Sequence, residues 1–228
     1  MGDRNEPLDA GRVALVTGAG RGIGRAVART LAARGDRVMA VSRSEAELAE
    51  LARETGATYV VESVSTAEGC ERIIEQTRER LGAIDIFVNN AGVLSAEERS
   101  IWETEPTVWH DVFATNLHGP FELIRRVTRD MIERRFGRVV IVSSSAGEFG
   151  VAAMPAYCAS RHGLLGLMRA VAQDVGGYGV TCNAVLPGWT KTQMADDLVR
   201  QSAEASGISF EQAWEDAVAA YPAQRPVD

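Results

Sequence analysis

Tyr157 and Arg161 stand four residues apart in a stretch of helical spacing, which puts a phenol and a guanidinium on one face. A phenol, with a pKa near ~10, is a poor proton donor or acceptor at neutral pH unless a nearby cation favours its phenolate. Upstream, Ser143-Ser144-Ser145 closes an apolar run and adds hydroxyls that can hydrogen-bond an oxyanion. Such a set suits chemistry in which a carbonyl oxygen gains negative charge. When hydride reaches the carbonyl carbon, the oxygen needs one proton donor and one further hydrogen bond.

A second group of residues is suited to binding. Residues 17–24 read T-G-A-G-R-G-I-G, after an aliphatic run at 12–16 and before Ala26, Val27, Thr30 and Leu31 at helical spacing. Strand, glycine turn and helix N-terminus together bring bare N–H groups and the positive end of a helix dipole to one point, which suits a pyrophosphate. Gly18, Gly20, Gly22 and Gly24 keep side chains out of that approach, with Arg21 and Ile23 between them. The next strand ends in Ser42 and Arg43. A carboxylate there would accept from a ribose 2′-hydroxyl, whereas a guanidinium pairs with a 2′-phosphate, so NADP is favoured over NAD, with Arg21 as a second cation. The alternative for Arg43 is a solvated surface charge.

Two further features sit where open α/β sheets bind ligands. Asn89-Asn90-Ala91-Gly92 ends a strand, and Asn116 lies within an apolar helical pattern where a buried amide needs partners. Gly119-Pro120 follows Asn116 and can kink that helix, freeing carbonyls nearby.

These residues are positioned by a regular alternation. Strand patterns at 12–16, 37–41, 58–61, 84–88, 138–142 and 179–185 are separated by helical patterns at 25–34, 44–54, 66–81, 105–135 and 155–175. Ser44 and Glu47 form a capping box at the second helix. Such alternation predicts an α/β fold: a Rossmann-type doubly wound parallel sheet with helices on both faces. One domain over residues 11–228 is expected, with a loose tail at 1–10 and a polar, irregularly helical flap at 190–220 over the site.

Composition narrows the classes. A net charge of −7 argues against general affinity for nucleic acid or anionic membranes. Cys70, Cys158 and Cys182 lie far apart, so neither a disulfide framework nor a metal site is indicated. No apolar run is long enough to span a bilayer, and a soluble, cytoplasmic protein is the expectation. Lys191 is the sole lysine among 24 basic residues, a skew that looks like coding bias.

Together these motifs resemble the short-chain dehydrogenase/reductase family in its single-domain branch, from about residue 11 to the end. The resemblance implies oxidation of alcohols or reduction of carbonyls with NAD(P). It aligns T-G-A-G-R-G-I-G with the family's cofactor loop, N-N-A-G with its central-sheet motif, and Pro187-Gly188-Trp189-Thr190-Lys191-Thr192 with the segment that closes on nicotinamide. Cofactor contacts then fall on Gly18, Gly20, Arg21, Gly22, Ile23, Gly24, Ser42, Arg43, Ser63, Val64, Asn90, Ala91, Gly92, Tyr157, Arg161, Pro187, Gly188, Thr190 and Thr192. The family's serine precedes its tyrosine by 13 residues, which selects Ser144 from the three. The implied roles are Tyr157 as acid/base, Ser144 polarising the carbonyl, Asn116 organising water and Arg161 orienting ribose. The long helices at 105–135 and 155–175 resemble the family's dimer surface, implying a homodimer or homotetramer.

Three positions depart from the family pattern. Arg161 stands where the family has lysine, in Y-C-A-S-R. Arginine keeps the charge and can donate to hydroxyls, but it never gives up its proton, so a relay through it is excluded. Three readings stand open: an arginine tolerated in an arginine-biased chain, an introduced substitution, or a natural loss of catalysis. Ser63 replaces a usual acidic residue near adenine, and residues 221–228 resemble the segment before the family's last helix and strand, so the last edge strand is expected to be missing. The leading expectation is an NADP(H)-dependent oxidoreductase acting on a ketone/aldehyde and alcohol pair. The alternative is a catalytically impaired NADP(H)-binding sensor or partner subunit. The pocket is expected from residues 94–103, 148–155 and the flap beyond Trp189. Glu97, Glu98, Glu148, Asp196 and Asp197 are read as surface acids, against a cationic or polyhydroxylated ligand.

Overall fold

Val13–Thr17 (β1) is buried at every position, as a strand covered on both faces must be. Alternate residues serve opposite faces: Val13 and Leu15 join one core, Ala14 and Val16 the other. The computed structural model describes residues 11–227, so the tail expected at 1–10 lies outside the described residues. Around β1 the sheet is completed by Arg37–Ser42 (β2), Thr58–Val61 (β3), Ile86–Asn89 (β4), Gly137–Val142 (β5) and Val180–Val185 (β6). Its order is β3-β2-β1-β4-β5-β6, every neighbouring pair being parallel. The strand order therefore reverses between β1 and β4, and the crevice beyond their C-terminal ends is where such sheets hold ligands. Among the described residues β6 is an edge, with Thr181, Asn183 and Val185 exposed.

Gly22–Ala33 (α1) and Glu45–Thr55 (α2) cover one face, where Ala28, Leu48 and Leu51 are fully buried. Ala67–Leu81 (α3) covers the other, through Cys70, Ile73 and Ile74. Ser44 accepts from the Glu47 N–H and Thr66 from the Gly69 N–H, so α2 and α3 begin on side-chain caps. α1 begins at Gly22, three residues before the apolar pattern that suggested it.

The helix expected over 105–135 is not continuous. Pro106–Phe113 (α4) passes through one π turn, Ala114–His118, into Gly119–Glu133 (α5). In an unbroken α-helix the Asn116 carbonyl would accept from residue 120, but Pro120 has no N–H to give. The ladder widens instead, with the Gly119 N–H reaching Ala114 O. Pro155–Val175 (α6) packs beside this bulge.

The flap resolves into two helices, Gln193–Ser206 (α7) and Phe210–Val218 (α8), divided by Gly207 at φ +65°. They share a small core of Val199, Ala203, Trp214 and Val218. A parallel bridge between Thr190 and Val227 ties the two ends of this unit together.

Candidate active site

The glycine loop is locked to the strap after β4. Thr17 Oγ1 accepts from the N–H groups of Asn90 and Ala91, both at 3.1 Å, and Asn90 Nδ2 donates to the Thr17 and Gly18 carbonyls at 3.0 and 3.1 Å. Gly18 sits at φ +65°, and a Cβ on it would fall 2.8 Å from Asn90 Nδ2. α1 then starts with no side-chain cap and no acidic residue in its first turn, unlike α2 and α3. Its first N–H groups and the positive end of its dipole lie at the cleft without a cap from their own helix, with the Glu47 side chain of α2 packed beside Gly20, and the residues present fit a dinucleotide pyrophosphate.

A cleft of about 730 Å³ runs from this loop across the sheet ends. Gly18, Gly20, Arg21, Gly22 and Ile23 line it, followed by Ser42 and Arg43 at β2, Ser63 and Val64 at β3, and Asn90, Ala91 and Gly92 at β4. Ser144, Tyr157, Arg161, Pro187, Gly188, Thr190 and Thr192 complete the predicted set on the lining. Two predicted residues are not on it. Gly24 is buried beneath the loop, where a Cβ would stand 2.3 Å from the Gly18 carbonyl oxygen, so it serves the packing of α1 on β1. Asn116 is fully buried below the floor.

At the β2 and β3 end the cleft also meets Glu47 and Glu62. The Arg72 guanidinium, 2.6 Å from Glu62, and the Ser63 N–H hold the Glu62 carboxyl below its usual range. Glu62, one residue before Ser63, thus lines the cleft with its charge already paired.

Ser143, Ser144 and Ser145 differ in their duties. Ser143 is buried, and its Oγ donates to the Arg161 carbonyl at 3.3 Å. The Ser145 N–H binds the Pro187 carbonyl at 2.9 Å. Ser144 presents its hydroxyl on the cleft, accepting from the Ala146 N–H at 3.2 Å, and its proton remains for another acceptor. Tyr157 and Arg161 lie on consecutive turns of α6, with the Arg161 Cζ 4.9 Å from the Tyr157 ring centroid. Arg161 is only 4% exposed. Its Nη1 donates to the Val142 carbonyl at 3.2 Å, and its fork packs so closely on Gly92 that a Cβ there would lie 2.3 Å from Nη2. Its buried Nε makes no hydrogen bond. Burial in a medium of low dielectric strengthens the action of this charge on the phenol beside it.

Asn116 binds the site together from below. Its Oδ1 accepts from the Val93 N–H at 2.8 Å, while Nδ2 donates to the Val93 carbonyl at 2.9 Å and to Ser160 Oγ at 3.1 Å. Ser160 Oγ donates in turn to the Tyr157 carbonyl at 2.7 Å. The amide thus joins the strap after β4 to the turn between Tyr157 and Arg161, with both Nδ2 hydrogens used and one lone pair of Oδ1 taken by the Val93 N–H.

Glu98 was expected at the surface and is 6% exposed instead. Its Oε1 accepts from the Tyr157 N–H at 3.0 Å in the first turn of α6, a helix whose N-cap residue, Met154, supplies no side-chain cap. The carboxylate meets the positive helix end. Burial nevertheless pushes its carboxyl above the usual range, against the pull of the Tyr157 and Ala156 N–H groups. The signal in the sequence is an uncapped Pro155 start, but nothing local says which distant acid supplies the cap.

A crossover-built parallel sheet, an uncapped glycine-rich helix start at its switch point and a tyrosine over a buried cation define a dinucleotide-binding redox class. The family model for short chain dehydrogenases matches residues 12–203. The chain belongs to the short-chain dehydrogenase family and is by class an NAD(P)-dependent oxidoreductase. It is 37% identical over 186 residues to the 3-oxoacyl-[acyl-carrier-protein] reductase FabG of Escherichia coli K12, covering 81% of this chain and 75% of that one. A crystal structure of an actinorhodin polyketide ketoreductase variant with NADPH superposes with a TM-score of 0.89 at 36% identity, over 96% of this chain and 85% of the other. Levodione reductase gives 0.89 at 31% identity, over 96% and 86%. Among the described residues no helix is long and apolar enough to cross a membrane.

Proposed function

We propose that this protein reduces a ketone or aldehyde to an alcohol, and runs the reverse reaction, with NADP(H) as its redox partner. The observation that carries the reading is the buried Arg161 guanidinium beneath the Tyr157 ring, in one cleft with the Ser144 hydroxyl and the uncapped start of α1. When bound there, the nicotinamide supplies or accepts the hydride. Tyr157 gives its phenolic proton to the carbonyl oxygen, Ser144 donates a second hydrogen bond, and the buried charge of Arg161 stabilises the phenolate left behind. Arg161 itself keeps its proton, so Tyr157 is reprotonated from solvent in the cleft rather than through its neighbour.

Arg21 and Arg43 line the loop end and the β2 end of the cleft, and two guanidiniums there support the 2′-phosphate of NADP. The relative crystallised with NADPH supports the same choice. Asn116 acts as a positioning residue, holding the strap after β4 against the turn that carries Tyr157. α5 and α6 form the surface of a homodimer or homotetramer, Phe121 being 47% exposed on α5; static light scattering checks this.

The test is NADPH oxidation by the unmodified protein across a panel of ketones and aldehydes, beside Arg161→Lys. Turnover by the unmodified protein, raised by the lysine, is expected. NADPH binding with no turnover in either form would favour the sensor reading, in which Arg161 marks lost chemistry.

A further inference from the structure

The cleft changes chemical character along its length, and the change follows the topology. The segments after β1, β2 and β3 bring its charged side chains: Arg21, Arg43, Glu62 and, from α2, Glu47. Past Tyr157, the segments after β4, β5 and β6 bring Leu94, Phe149, Val151, Met154, Trp189 and, from α7, Met194. Phe149, Val151 and Met194 remain 53%, 37% and 37% exposed, so this half offers apolar surface to an occupant.

The charged residues of those same loops point elsewhere. Glu98 caps α6. Glu148 faces Arg169 at 3.5 Å, Asp196 accepts from Trp214 Nε1 at 3.1 Å, and Lys191 lies 5.7 Å from the Trp214 ring centroid. Asp197 is taken by Gln193 and Arg200 at 2.7 and 3.2 Å. Arg161, on this side of the sheet, is buried under Tyr157 and bound to Val142. Among the described residues, a substrate carboxylate or phosphate beyond the reacting carbonyl would meet no lining cation but Arg161, which is buried and engaged by Tyr157 and Val142.

Resting on the carbonyl-reductase reading above, we propose that the substrate is a neutral ketone bearing an aryl, alicyclic or branched aliphatic body, and that the apolar half of the cleft rejects carbonyl compounds with an anionic arm. Desolvating an unpaired carboxylate costs far more than the apolar contacts return. The same wall gains from each CH₂ it covers.

Butyrophenone and 4-oxo-4-phenylbutanoate test this, being the same aryl ketone with a terminal methyl or a carboxylate. Each is titrated calorimetrically into the protein saturated with NADP⁺, which gives affinity without turnover, and each is then assayed with NADPH. Butyrophenone is expected to bind at least tenfold more tightly and to show the lower KM. Phe149→Arg, a change at an exposed rim position, is expected to shrink or reverse the preference by introducing the missing cation. Equal affinities, tighter binding of the carboxylate, or no binding of either compound overturns the inference. If butyrophenone binds preferentially but is never reduced, the pocket assignment holds and the carbonyl-reductase reading fails, so the two are separable.

Discussion

Replacing Asn116 by alanine removes three hydrogen bonds at once, from the Val93 N–H, to the Val93 carbonyl and to Ser160 Oγ. Each is worth about 0.5–1.5 kcal/mol net, and a buried partner left unpaired costs about 1–3 kcal/mol. Val93 is only half-buried, so water can reach part of what the alanine strands. Ser160 keeps its bond to the Tyr157 carbonyl and loses one acceptor role only. The sum is a destabilisation of about 2–4 kcal/mol, or roughly 5–15 °C in Tm for a domain of this size. Catalysis should suffer more than stability alone explains, because the strap after β4 and the turn bearing Tyr157 lose their common anchor. Urea unfolding gives the first quantity, and kcat measured well below Tm gives the second. A stability change under about 0.5 kcal/mol, with kcat retained, would refute the role assigned to this amide.

Other perturbations test separate parts of the site. Gly24→Ala places a Cβ 2.3 Å from the Gly18 carbonyl oxygen and 2.4 Å from Asn90 Nδ2, so α1 must move away from β1; NADPH should weaken about tenfold or more by fluorescence titration. Arg43→Ala should cut NADPH affinity about 10- to 100-fold, the loss of one charge-assisted hydrogen bond, and leave NADH affinity unchanged. Glu98→Gln keeps an acceptor for the Tyr157 N–H but does not titrate. Because the folded carboxyl is raised, the native state holds its proton more tightly than the unfolded chain, and the wild type loses stability as pH climbs from about 4.3 through the folded value. The stability of the variant relative to wild type should therefore grow with pH over that window, as read from urea midpoints; a flat difference would contradict the burial argument.

The framework was legible because its signals are local. Strand runs, the helical spacing after the glycine loop and the Ser44 cap are each written within a dozen residues, and the parallel order follows from their alternation. The misread places all depend on distant neighbours or on geometry within an element. The break at Ala114–His118 looked like a kink at Gly119-Pro120, but its form, a π turn, depends on which carbonyl loses its donor. Glu98 sits in a loop without periodicity, and only the approach of α6 from some 60 positions further along turns a surface acid into a buried cap. Asn116 was correctly suspected of needing partners, yet those partners, a loop backbone and a serine on another helix, leave it no direct reach to the cleft. For Glu148 and Asp197 the surface reading agrees with their ion pairs.

The central claim is that hydride moves in a site whose buried cation is an arginine. Incubating the unmodified protein with NADPH deuterated at C4 and a neutral aryl ketone, and analysing the alcohol by mass spectrometry, addresses it directly. Deuterium at the carbinol carbon, lost with Tyr157→Phe and retained with Arg161→Lys, is the predicted result. A protein that binds NADPH with a clear thermal shift, yet gives no labelled alcohol either as it stands or with Arg161→Lys, would contradict the account.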